Sequence, residues 1–262
     1  MRVVSAGHAV FAATLVAIGI LGLIKGDLVA IWQLGPKGVS AREALAYLCA
    51  AISVVAGVGL LWQRAAGVAA RVLLGYLLIW FLLFKAPVIF RAPGKMVSWE
   101  DGAETCVIVA AAWVLYAGLA TGWGRQRLGF ATGERGVRIA RTLYGLPLIP
   151  FGLAHFAYLK ETAELVPAWL PSHLAWAYFT GCTYLAAGLA VTSGVYARLA
   201  AALSAVQMGM LTLLVWGPIL AAGPKDAFQL NESLISLTLT ASGWVVTDSY
   251  RRVPWLRRWL RS

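Results

Sequence analysis

Apolar residues fill 60% of the 262 positions and charged ones only 13%, with a mean hydropathy of +0.76. Soluble domains sit near half apolar and a quarter charged, so these figures exclude a soluble globular protein and identify an integral membrane one. A formal charge of +11 would suggest nucleic acid in a soluble chain. Here membrane attachment accounts for the basic residues, and no nucleic-acid partner is expected.

About 20 apolar residues are needed to cross a bilayer, and eight such runs follow one another. They are residues 3–24, 44–62, 65–84 and 105–123, then 142–159, 174–196, 199–222 and 228–247. Continuous apolar runs without period-2 alternation predict helices rather than a barrel. The first run is too long for the apolar core of a signal peptide, and Ile24, Lys25 and Gly26 make no small-residue cleavage site, so it reads as a retained span. The loop after it carries Trp32, Pro36 and Gly38, the aromatic and turn residues of an interface. Trp99 and Trp169 read as the same kind of belt residue, with Trp62, Trp123, Trp255 and Trp259 on the other side. Pro147 and Pro150 predict a kink in the fifth run.

Residues 80–93, WFLLFKAPVIFRAP, return 131 positions later as residues 211–224, LTLLVWGPILAAGP. Both are apolar runs broken by a proline, with a second proline six residues on. The same spacing lays Tyr47 on Tyr178, Ala56 and Gly57 on Ala187 and Gly188, and Trp113 on Trp244. It needs no gap between residues 46 and 114. Such self-similarity predicts a duplicated unit: residues 1–123 as the first repeat, 124–141 as a basic linker, 142–247 as the second repeat and 248–262 as a basic amphipathic tail. The fold expected is all-α integral membrane, eight transmembrane helices as two similarly oriented four-helix bundles.

Charge sorts across these spans. The side of the N-terminus carries 14 arginines against Glu134 and Asp248, while the other side carries eight cations against nine acids. The positive-inside rule then places both termini in the cytoplasm of a plasma-membrane protein. An even number of spans requires the same.

The most polar stretch between the tails is residues 85–104, with Lys85, Arg91, Lys95, Glu100, Asp101 and Glu104. It reads as an outer hairpin. Its acids either cap a helix that starts at Ser98, or one of Glu100 and Asp101 pairs with Lys85 in the bundle mouth. In the second repeat, Glu232 stands at the position of Asp101, and Trp216 at that of Lys85. His155, Glu161, Glu164 and Tyr178 would line the second outer mouth, with Tyr47 as the first repeat's counterpart of Tyr178. A helix-end imidazole bonded to a carbonyl or to Glu161 is the simpler reading of His155. Cys49, Cys106 and Cys182 form no CxxC, and neither a metal site nor a disulfide follows from their spacing. No flavin, haem, iron–sulfur or metal motif is evident.

The run GLAHFAYLKETAELVPAWLPSHLAWAYFTGCTYLAAGLAVTSGVYARLAAAL resembles the DoxX/DoxD-like family of small four-helix membrane proteins. The resemblance rests on Gly152 with His155 and Phe156, on Val166, Pro167, Ala168 and Trp169, on Leu170 and Pro171, on Gly181 to Gly188, and on Arg198. It covers residues 142–247, and more loosely the first repeat, where Lys25 falls near the position of His155. It implies a membrane subunit or accessory of a quinone-linked or sulfur/thiol redox system, with quinone as a cofactor and a redox protein as partner. Two other classes stay open: a small-solute transporter, disfavoured because no charge falls near the middle of a span, and a noncatalytic scaffold or assembly factor.

Overall fold

A computed structural model of the chain describes residues 5–32, 41–223 and 226–256. Arg2, Pro36, Lys37, Gly38, Pro224, Lys225 and the tail residues from Arg257 on, Trp259 included, lie outside them, as does the side chain of Trp123. The described residues form helices and turns, without a strand. Eight of the helices are long. They are α1 (Ala6–Lys25), α2 (Arg42–Leu61), α3 (Ala66–Arg91), α4 (Met96–Leu119), α5 (Gly133–Ala157), α6 (His173–Ser193), α7 (Ala197–Ala222) and α8 (Ala227–Ser249).

Six of the eight, α1 to α4 with α6 and α7, are long and apolar enough to cross a membrane. Helices α5 and α8 are less apolar, for different reasons. The first turns of α5 carry Glu134, Arg135, Arg138 and Arg141, so the basic linker is largely helix rather than loop. Along the middle of α8, beyond Gln229, Asn231 and Glu232, the polarity is hydroxyl. Ser233, Thr238, Thr240 and Ser242 each donate to the carbonyl four residues back, at 2.7 to 2.9 Å. Satisfied in this way, the hydroxyls cost little to bury, and α8 takes an interior position with Ile235, Thr238, Ala241 and Val246 all buried.

Neither proline stops its helix. Before Pro87 the chain makes a π-turn over Phe81–Lys85, before Pro218 another over Thr212–Trp216, and the helix continues to Arg91 and to Ala222. Proline lacks the N–H of an ordinary helical turn and its ring crowds the carbonyl four residues back. A wider turn relieves both problems. The segments Ala66–Trp80, Phe81–Lys85 and Ala86–Arg91 recur as Ala197–Leu211, Thr212–Trp216 and Gly217–Ala222, each displaced by 131 positions. Helix α5 likewise runs on through Pro147 and Pro150.

Packing follows the same offset. Helix α1 lies on α2 as α5 lies on α6, α2 on α3 as α6 on α7, and α3 on α4 as α7 on α8. The close pairs rest on small residues. A Cβ at Gly57 would meet the Ala12 carbonyl at 2.7 Å, and one at Gly188 the Gly145 carbonyl at 3.0 Å. Neither half is closed by its own helices, however. Helix α4 packs on α5 and α8, and α8 packs on α1. Each set of four is closed by the last helix of the other, so the halves interlock along α4 and α8. Small residues suit α4 to that central place: the run from Val107 to Ala112 is buried on every face.

Candidate functional site

The expected outer hairpin is not a loop. Helix α3 runs through Lys85 to Arg91, a four-residue turn follows, and α4 begins at Met96. Glu100, Asp101 and Glu104 therefore stand within α4, and no side chain caps its start, so the capping reading of Ser98 and Asp101 is corrected. The π-turn carries Lys85 inward to 2% exposure, and its Nζ lies 2.6 Å from Asp101 Oδ1. A lysine and a carboxylate in a membrane helix are stable only when paired and facing the protein interior. That is the arrangement here.

Around this pair the carboxylates converge. Glu104 lies within electrostatic reach of Glu232, Asp101, Glu100 and Lys85, and Glu232 within reach of Glu100 and Asp101. Their spacing explains this. Glu100, Asp101 and Glu104 fall at i, i+1 and i+4 on α4, and α8 packs beside α4 and brings in Glu232. The cluster thus draws on α3, α4 and α8, across the boundary between the halves. Glu104 is the ninth residue of α4, roughly 13 Å along it at 1.5 Å per residue.

Next to the cluster the segment after α1 folds into the protein. Leu28, Val29, Ala30 and Trp32 are buried. Ala30 adopts a left-handed φ of 48°, and Asn231 Oδ1 accepts its backbone N–H at 2.9 Å. Trp32 is 1% exposed, so it is a core residue rather than the belt residue expected. Its Nε1 donates to Ser53 Oγ at 3.1 Å, and its ring meets Tyr76 and Trp80 edge-on, with centroids 5.3 and 5.1 Å away. Trp80 then packs on Phe84, one residue before Lys85, and its indole N–H is buried without a partner. Trp62, Trp99 and Trp169 are exposed, as belt residues would be.

The mouth expected in the second half is not assembled as a site. His155 Nδ1 is bonded to the Phe151 carbonyl at 2.8 Å and its ring lies 5.4 Å from that of Tyr184, the simpler reading. Glu161 and Glu164 are exposed on the short helix Leu159–Glu164, and neither is in an ion pair among the described residues. Tyr178 is half exposed and stacks obliquely on Phe156. In the first half Lys25 is exposed at the end of α1, and the Tyr47 hydroxyl lies over Gly26. Of the ten residues singled out, Lys85, Glu100, Asp101 and Glu232 come together. Glu104 joins them, and the i, i+4 spacing of Glu100 and Glu104 was the sequence signal for it.

No group of His, Cys, Asp and Glu suited to a metal ion occurs among the described residues, and Cys49, Cys106 and Cys182 are free thiols. Cys49 Sγ lies 3.1 Å from the Tyr76 hydroxyl.

At the opposite end, where the arginines gather, two arginines of the second half hold the start of the tail. Arg141 lies 3.9 Å over the Tyr250 ring and donates to Ser249 Oγ at 2.9 Å and to the Ser249 carbonyl. Burial pushes the Tyr250 phenol up to about 12, against the pull of the neighbouring guanidinium. Tyr250 is therefore a neutral ring at physiological pH, the form that holds a cation on its face. Arg198 donates to the Val253 carbonyl at 2.7 Å and stacks 3.9 Å from the Trp255 ring. The tail through Leu256 thus turns back over the start of α7, without helix.

Residues 136–217 match the model of the DoxX family. No curated protein and no solved structure matches the chain. The second half therefore carries a DoxX domain, spanning most of α5, all of α6 and α7 through its π-turn. The charged cluster lies outside the matched stretch.

Proposed function

We propose that this DoxX-like membrane protein is a tandem duplication of a four-helix unit with eight crossings and both termini in the cytoplasm. We propose further that it serves a quinone-linked or sulfur/thiol redox system as a membrane subunit or accessory. The 131-residue recurrence of α3 and α7, π-turn included, supports the duplication. The observation that carries the functional reading is the Lys85–Asp101 pair with Glu100, Glu104 and Glu232 gathered about it inside the helices. Ionisable groups at such depth are costly, and where they persist they mark proton or ion routes. Four acids on one lysine suit the taking up and handing on of protons.

A quinone accepts two electrons together with two protons. Its planar head group needs flat apolar walls and an N–H or O–H donor for each carbonyl. Trp32, Tyr76 and Phe84 supply aromatic faces and the Trp80 indole N–H a donor without a partner among the described residues, the kinds of group such a head group takes. In this reading Trp80 orients the head group and the carboxylates hold the protons. The electrons come from a partner or from a thiol or thiosulfate donor.

The test is quinone reduction by the purified protein, with thiosulfate or with proteins that co-purify from native membrane. Turnover that falls about 100-fold or more in Glu104→Gln and Glu232→Gln, the scale of general acid–base catalysis, would bear the reading out. Absence of turnover with or without partners sinks it. Reporter fusions at Gly129 and in the tail test the topology, which requires both on one face.

A second reading gains from the same observation. Charges within α3 and α4 remove the ground on which the sequence disfavoured a transporter, and proton-coupled flux of a small solute in proteoliposomes would replace the redox reading. Stable partners with neither activity would identify a scaffold.

A further inference from the structure

Far from the carboxylate cluster, at the basic end, the first half carries two depressions that join. One is an apolar groove of about 300 Å³ between α2 and α3, floored by small residues that include Ala51, Ala56, Gly59, Ala65 and Ala69. The other is a crevice of about 170 Å³ between the α2–α3 turn and the end of α4, lined by Gln63, Arg64, Arg71, Tyr116, Thr121 and Gly124. Val68 lines both. The Tyr116 side chain is 2% exposed, and its hydroxyl is buried without a partner. It lies in the crevice wall, 3.0 Å from where a Cβ on Gly124 would stand.

We infer that this composite site binds one phospholipid of anionic head group from the leaflet on the basic side. One acyl chain lies in the small-residue groove, and the phosphate sits between Arg64 and Arg71. Complementarity argues for this occupant. The groove is walled by alanine, valine, glycine and Ile52 and opens outward from membrane helices, where its filling is hydrocarbon. It leads to two guanidinium groups, whose planar forks bind phosphate oxygens. Tyr116 adds a hydroxyl donor that has no partner among the described residues. Basic pockets at the ends of membrane helices take anionic head groups by this chemistry.

The second half supplies an internal control. At the positions 131 residues on, Ala65, Val68 and Val72 are replaced by Tyr196, Leu199 and Leu203, Arg64 by Val195 and Arg71 by Ala202. Bulk stands where the groove would be, and neither arginine is repeated. Only the first half combines the two parts.

The experiment is native mass spectrometry of the full chain in detergent, titrated with phosphatidylglycerol, with phosphatidylcholine of the same acyl chains, and with inorganic phosphate. The wild type is expected to retain phosphatidylglycerol about tenfold or more better than phosphatidylcholine. Arg64→Gln with Arg71→Gln should erase that preference while leaving phosphatidylcholine unchanged. Ala65→Tyr with Val68→Leu, which copies the second half, should weaken both lipids. Should Arg71→Gln disturb folding, Arg64→Gln alone and the groove pair carry the test. Equal retention of the two lipids by the wild type, or a preference that survives loss of the arginines, overturns the inference. Inorganic phosphate displacing the lipid at matched concentration would assign the crevice to a free anion and overturn it as well.

Discussion

The two π-turns stand at equivalent places in the two halves and fasten their helices by different chemistry. In the first, Lys85 reaches from α3 to Asp101 on α4, an ion pair in the protein interior. In the second, Thr212 on α7 shares its hydroxyl with Ser236 and Thr240 of α8, at 2.7 and 2.8 Å, a neutral network. The geometry is common to both and the charge is not. A π-turn beside a proline is therefore common to the two halves, whereas the lysine and its ion pair occur in one of them, and function is to be sought where the halves differ.

Breaking the charged tie should have the largest effect. Lys85→Met leaves Asp101 buried without its cation and is expected to cost about 3–5 kcal/mol in reversible unfolding from detergent micelles, while adding Asp101→Leu should restore most of the loss. If the double variant is no more stable than the single, the pair is not what holds α3 to α4.

Next come the close approaches that the halves share. Gly57→Ala and Gly188→Ala put a methyl group against a backbone carbonyl of the facing helix, and each should lose about 1–3 kcal/mol. Unequal losses would mean that the helix pairs α1–α2 and α5–α6 are less alike than their common offset suggests. Smaller still is the neutral tie: Thr212→Val should cost about 0.6 kcal/mol per hydrogen bond lost, the average for hydroxyls between membrane helices. The same melts would show whether Thr212→Val approaches Lys85→Met, which would erase the distinction drawn between the two turns. Least of all, Arg198→Gln is expected to lose about 0.5 kcal/mol, since the guanidinium is partly exposed and its partners are carbonyls and the Trp255 ring. Faster proteolysis of the tail would report it.

The sequence carried the succession of helices and the 131-residue offset, because an apolar run and an ungapped spacing are local facts. It carried less of the site. A pairing of Lys85 with Glu100 or Asp101 stood in the sequence only beside the capping alternative, and Asp101 is the partner found; neither the continuation of α3 past Pro87 nor the place of Lys85 inside a widened turn is written in composition. Trp32 looked like an interface residue for a similar reason: tryptophan near turn residues predicts a belt, and only tertiary packing shows the loop tucked against Tyr76 and Trp80. The contribution of Glu232 depends on α8 lying against α4, a contact between distant parts of the chain. His155 was legible because its partner, Phe151, is one helical turn away.

The interlocked closure of the halves bears on how one half would behave alone. Produced alone, residues 1–123 would present the flanks of α1 and α4 bare to lipid, one shaped to receive a fourth helix and the other a first. Two such fragments could satisfy each other only as a symmetric dimer, in which every substitution appears twice. Joining the halves in one polypeptide removes that constraint, so Lys85 and its acids can be met by Glu232 of the other half without being duplicated themselves. The lopsided charge of the present molecule is a form that a homodimer could not adopt.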